Sequence, residues 1–343
     1  MLTYALMGLL VLGIAIITLW GVKYEPNKNS FMSIEDTTFL RGFWCIIVVL
    51  VHVPATYQNR IQDMLGSFAY IGVTFFFMIS AYGLKWSFEH KPGYMDHFWR
   101  RRLPSILVPA FIANAFEVLM YGLNGTSFTA LSFININNWI KVLLIYYFVF
   151  WAVYKLAPKL IGGGWQDVAM CLIVVIFSIV DYFTDFKITS RWIVEPLGFA
   201  YGIIAANHAE EIKKWLRKGW IRNCVVLMLI AGLIGIAYLK FKPVQFWGDY
   251  LLKIALGISI TAFMYVVIAK LKVGNKVNSF LGSISYEVYI LHHGVFALLT
   301  VIFGTAINSG VFVLIAIIIT IVMAFLLNRL CQPIVKGIKE IGE

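Results

Sequence analysis

Phe39-Leu-Arg-Gly-Phe-Trp-Cys-Ile-Ile-Val-Val-Leu-Val-His-Val-Pro54 is apolar apart from two ionisable side chains, Arg41 and His52. Eleven helical steps separate them, three turns plus about 20°, so both fall on one helix face about 16 Å apart along the axis. Ionisable groups are costly at membrane depth and mark function there. One group near each end of a span suggests a reaction path crossing the bilayer.

The chain around this stretch is 61% hydrophobic, 16% aromatic and 13% charged, with a mean hydropathy of +0.83. That balance excludes a soluble domain and fits a polytopic, all-α membrane protein. Windows of about 20 apolar residues fit residues 2–21, 38–56, 67–87, 103–121, 139–155, 167–183, 192–207, 221–239, 250–269, 284–303 and 309–328. The segment 2–21 lacks a basic leader region and a small-x-small cleavage site, so it reads as a retained span. Cys45, Cys171, Cys224 and Cys331 lie scattered in apolar segments, without a CxxC or metal-ligand spacing. They read as reduced core residues, and no metal site is expected.

The formal net charge of +11 does not point to nucleic acid, because basic residues collect in the cytoplasmic loops of membrane proteins. With the N-terminus outside, the outer segments hold Arg60, Lys141, Lys187, Arg191, Lys240, Lys242 and Lys253, seven of the 28 Lys and Arg. The inner segments hold the rest, including Lys155 and Lys159. This asymmetry predicts an external N-terminus and a cytoplasmic C-terminus. The outer loops are short, so any chemistry is expected inside the bundle.

A neutral imidazole at His52 suits proton abstraction from a hydroxyl near pH 7. Its orienting carboxylate, judged by depth, is Glu117 or Glu195, with Glu117 preferred; Glu287 lies too near the cytoplasmic end. Phe98-Trp-Arg-Arg-Arg-Leu-Pro-Ser-Ile-Leu-Val-Pro109 places Arg100, Arg101 and Arg102 just before a span. They read either as a positive-inside anchor or as a phosphate clamp, since guanidinium groups bind phosphate bidentately. In Phe280-Leu-Gly-Ser-Ile-Ser-Tyr-Glu-Val-Tyr-Ile-Leu-His-His293, the residues Ser285, Tyr289 and His292 share one helical face. They are candidate oxyanion or acceptor contacts. His293 lies on a different face, with Tyr286, and two adjacent histidines diverge by about 100°, which argues against a metal pair.

Together these stretches resemble acyltransferase family 3, a family of integral membrane proteins. Leu40-Arg41-Gly42 and His52 after a ten-residue spacer are similar to its Arg-to-His motif. Phe75-Phe-Phe-Met-Ile-Ser-Ala-Tyr-Gly-Leu84 resembles its aromatic segment, with Ala81 where Gly is common. Arg100 to Pro109 resembles the basic start of its next helix, and Ser283 to His292 its C-terminal SYxxYLxH-like motif. The family often carries two arginines three apart; here Arg102 matches the first and Ser105 stands at the second.

The resemblance implies a ten-span core at 38–330, preceded by an extra N-terminal helix and linker at 1–37 and followed by a cytoplasmic tail at 331–343. It implies transfer of an acyl group, usually acetyl, from cytoplasmic acyl-CoA to a hydroxyl of a cell-surface or lipid-linked glycan. No permanently bound cofactor is implied; acyl-CoA is a substrate. Catalysis would fall to His52, Glu117 and Arg41, and donor binding to Arg100, Arg101 and Arg102. The expected surroundings are a bacterial plasma membrane, membrane lipid and, as a partner, polysaccharide-synthesis machinery. A flippase or transporter of lipid-linked sugars is the alternative. A non-catalytic scaffold for a polysaccharide synthase is a further one.

Overall fold

The computed structural model describes residues 1–156, 165–184 and 193–341. Lys159, Lys187, Arg191, the first residue of the window 192–207 and the last two residues of the tail lie outside the described residues. The described chain is almost wholly helical: α1 (Leu2–Leu19), α2 (Ile34–Val51), α3 (Arg60–Gly66), α4 (Ala69–His90), α5 (Phe98–Leu123), α6 (Asn138–Trp151), α7 (Gln166–Thr184), α8 (Gly198–Asn207), α9 (Ala209–Arg217), α10 (Trp220–Phe241), α11 (Lys253–Ile268), α12 (Lys276–Ser283), α13 (Ser285–Phe303) and α14 (Ser309–Glu340). One two-residue ladder pairs β1 (Lys23–Tyr24) antiparallel with β2 (Leu271–Lys272).

Among the described residues, nine helical segments are long and apolar enough to cross a membrane. They account for nine of the eleven windows. The other two are α2, whose 18 residues include Glu35, Asp36 and Arg41, and α8, which has ten residues. Both pack against the central α4. Hydrogen bonds sort the connections onto two ends in the alternation eleven crossings require. At one end Lys28 Nζ donates to Asp36 (2.5 Å) and to the Ile268 and Leu271 carbonyls (2.9 Å each), and Lys85 donates to Asp167 (2.9 Å). At the other, Asn59 donates to Ser309 (3.0 Å), Thr3 to Asn308 (3.1 Å) and Lys253 to Glu195 (2.9 Å). α1 runs the full height: Thr3 meets Asn308, and the carbonyl of Ile17 accepts from Asn275 (2.7 Å).

Local chemistry sets the bounds of α2. Ser33 caps its N-terminus by accepting from the Asp36 amide (3.1 Å), and Glu35 and Asp36 in the first turn suit the positive end of the helix dipole. At the far end Pro54 biases Val53 out of the helical region. The helix therefore stops at Val51 and His52 becomes its C-cap, with φ −96° and ψ 3°. The window 38–56 ran past this point. His52 therefore caps its helix at the height of the middle of α13, not inside a continuous helix.

Small residues let backbones touch where two helices cross. A Cβ at Gly202 would overlap the Met78 carbonyl oxygen, and one at Gly198 the Thr74 carbonyl oxygen, so α8 lies directly on α4. Gly202→Val is expected to destabilise the purified protein by about 1–3 kcal/mol or more, the cost of overpacking. A melting curve in detergent checks this. An unchanged melting temperature would show that α8 does not make this contact.

Candidate functional site

Three cavities lie in file between the two ends of the bundle. The first, about 690 Å³, opens at the end carrying Lys28 and Lys85; its walls include Arg41, Ser80, Trp86, Lys91, Arg102 and Tyr147. The second, about 280 Å³, lies deeper and shares Arg41, Ile79, Ser80 and Tyr147 with the first, adding Ser105 and Ser285. Tyr289 closes its inner end and is also a wall of the third, about 720 Å³, which holds His52, His293, Asn137, Glu195 and Lys253. Tyr289 is thus the partition between a basic compartment and the compartment of His52. The Trp139 ring, 5.0 Å from that of Tyr289, braces it.

The basic compartment rests on the first turns of α2 and α5. Arg41 Nη2 donates to Thr38 Oγ1 (2.9 Å), while its buried Nε has no hydrogen-bond partner. Arg102 Nε donates to the Tyr94 hydroxyl (2.7 Å), which fixes the guanidinium at the cavity wall. The run Arg100 to Arg102 does not act as one clamp in the structure. Consecutive helical residues fan out by about 100° each, so Arg100 instead donates to the Ile341 carbonyl (3.1 Å) and Arg101 is exposed. Arg41 and Lys91, from other elements, join Arg102 instead. Ser105, where an arginine would match the family pattern, lines the second cavity beside Arg41.

Where α2 ends, its capping residue meets α13. His52 Nδ1 lies 2.9 Å from the Val48 carbonyl. A carbonyl only accepts, so Nδ1 carries the proton and the neutral ring keeps its lone pair on Nε2. The ring is oriented by backbone, not by a carboxylate. Glu117, the preferred partner on depth, makes no hydrogen bond to it and lies instead behind Gly294, whose added Cβ would stand 3.2 Å from the Glu117 Cα. Depth fixes only the height of a residue; Glu117 is not among the residues lining the cavity of His52. Glu195, with Asp249, shares the cavity of His52, and it is held by Lys253 (2.9 Å). Lys253 also stands 4.8 Å above the Tyr70 ring. Glu287, near the opposite end, accepts from Asn328 (2.8 Å).

Ser285 and Tyr289 line the middle cavity, although the Ser285 hydroxyl is engaged by the Gly282 carbonyl (2.9 Å). His292 is fully buried, and neither ring nitrogen has a well-formed hydrogen bond among the described residues. His293, expected on a different helix face from His292, also lines the cavity of His52. The His52 ring lies 4.8 Å from those of both His292 and His293, which are 4.2 Å from each other. A residue packed at the boundary between two helix faces meets side chains from both. Sequence reasoning also passed over Lys91, Asn137 and Lys253 as site residues. Only their basic or amide character was visible, and that is not specific.

A family model described as an acyltransferase domain matches residues 34–329. No curated protein and no solved structure matches the chain.

Proposed function

From the premise that this chain belongs to the acyltransferase domain family, and is a membrane acyltransferase, we propose that it moves an acyl group, acetyl first among candidates, from cytoplasmic acyl-CoA to a hydroxyl of a cell-surface or lipid-linked glycan. One observation carries this: the basic cavity, the middle cavity and the histidine cavity lie in file, the first two sharing Arg41 and the last two Tyr289. A donor with a phosphorylated head and a long thin arm fits the first two compartments. A polyhydroxylated acceptor fits the third, whose walls offer Asn137, Asn138, Glu195 and Lys253.

Arg102, Lys91 and Arg41 bind the CoA phosphates, and the pantetheine arm passes Ser80 and Ser105 to bring its thioester to Tyr289. The acceptor hydroxyl approaches His52 from the other side. Nε2 takes its proton as the oxygen attacks the thioester carbonyl; the C–S bond breaks, and the CoA thiolate recovers the proton from His52. The Val48 carbonyl stabilises the imidazolium through Nδ1. Tyr289 donates to the developing oxyanion. The positive-inside rule puts the basic mouth on the cytoplasmic side, and a bacterial plasma membrane is the setting proposed.

Membranes carrying the protein, given acetyl-labelled acetyl-CoA and host glycan, are expected to accumulate base-labile glycan ester above membranes without it. Acceptor translocation with no covalent label would instead support a flippase.

A further inference from the structure

We infer that His52, His292 and His293 form a binding site for a divalent transition-metal ion, Zn²⁺ above all, and that occupancy switches off the base. The inference rests on the assignment of His52 as that base.

Each of the three residues offers a ring nitrogen, and those atoms all lie within 4.8 Å of one another. A tetrahedral zinc ion, with Zn–N bonds of about 2.0–2.1 Å, holds its ligand nitrogens about 3.4 Å apart. Small rotations of the imidazoles close the difference. For His292 no well-formed hydrogen bond among the described residues has to break, since only the Val288 and Tyr289 carbonyls lie close to a ring that is 0% exposed. A fully buried imidazole so weakly partnered is a costly arrangement, and it faces two other imidazoles.

The surroundings suit a metal and not merely a polar cluster. His52 directs Nδ1–H to the Val48 carbonyl, the backing that metal-bound histidines have, and this presents Nε2 as the ligand. Three neutral nitrogen donors select zinc-like ions over magnesium or calcium, which prefer oxygen. His52 and His293 border the third cavity, so a fourth coordination position is open to water. The Nε2 lone pair that takes the acceptor's proton is the one that would bind the metal. It cannot do both, so metal binding and acyl transfer exclude each other.

The test uses full-length protein in detergent, stripped with a chelator and titrated with Co²⁺, whose visible absorption reports nitrogen coordination. One equivalent is expected to give tetrahedral-type bands, displaced by Zn²⁺. His292→Gln and His293→Gln should each abolish them, with melting curves showing that the variants fold. In the transfer assay Zn²⁺ should depress turnover to the level of a His52→Ala protein, about 10²–10⁴-fold, and the chelator should restore it. Absent bands, or bands unchanged in both variants, would overturn the site. A stripped protein that needs Zn²⁺ to work would overturn the inhibitory role. A stripped protein that binds Co²⁺ yet never transfers acyl groups would leave the metal site standing and remove the proposed reaction.

Discussion

Replacing His52 by alanine is expected to lower acyl transfer by about 10²–10⁴-fold, the usual contribution of a positioned general base, with little change in KM for acyl-CoA. In the proposed binding mode the donor phosphates lie two cavities away, against Arg102 and Lys91, so their binding would not depend on the imidazole. His52→Gln is the sharper variant. Its side chain is polar and still fits the cap of α2, but it cannot accept a proton. It should be as inactive as alanine while melting like wild type. Initial rates at saturating and subsaturating acyl-CoA check both variants. Retention of near-wild-type turnover by His52→Gln would mean that the residue contributes polarity and not proton transfer.

The second large effect lies at the other end of the path. Arg41→Ala and Arg102→Ala should each reduce kcat/KM for acyl-CoA by about 10–100-fold, because hydrogen bonds to charged groups are worth about 1.5–3 kcal/mol. Arg101→Ala should change it little, since Arg101 is exposed, and Arg100→Ala little more, since its guanidinium faces the Ile341 carbonyl. Comparing acyl-CoA with a donor lacking the 3′-phosphate separates phosphate binding from general electrostatics. The wild type should discriminate between the two donors, and Arg102→Ala should not. Equal losses on substituting all three arginines of the run would favour a diffuse basic anchor over a cavity-directed contact.

The residues explain how far sequence carried. That Arg41 and His52 lie at different heights of one segment was legible from their spacing, and the structure places them on the walls of different cavities. The bundle was legible from hydropathy, and with it the alternation of loops between two ends. Pro54 could have signalled that His52 ends its helix, since the residue before a proline leaves the helical region. What stayed hidden depends on azimuth between helices distant in sequence. Depth admitted both Glu117 and Glu195 and favoured Glu117, yet Glu195 lines the cavity of His52 and the Glu117 backbone packs behind Gly294. Arg100, Arg101 and Arg102 look like one clamp in a linear sequence and diverge on a helix. His292 and His293 diverge in the same way, and still converge on His52, because α2 ends against the seam between their two faces. Periodicity within one helix cannot reveal which neighbour fills that seam.

In the proposed reaction, donor and acceptor reach His52 from opposite sides of the membrane. Sealed inverted membrane vesicles, whose cytoplasmic face is outward, test this when acetyl-labelled acetyl-CoA is added to the bath. Base-labile label is expected on glycan enclosed in the lumen, absent when the vesicles carry His52→Ala. None is expected in sealed right-side-out vesicles given the same external donor. Label that forms only in the right-side-out vesicles, or ester confined to the bath side of the inverted ones, would contradict that arrangement.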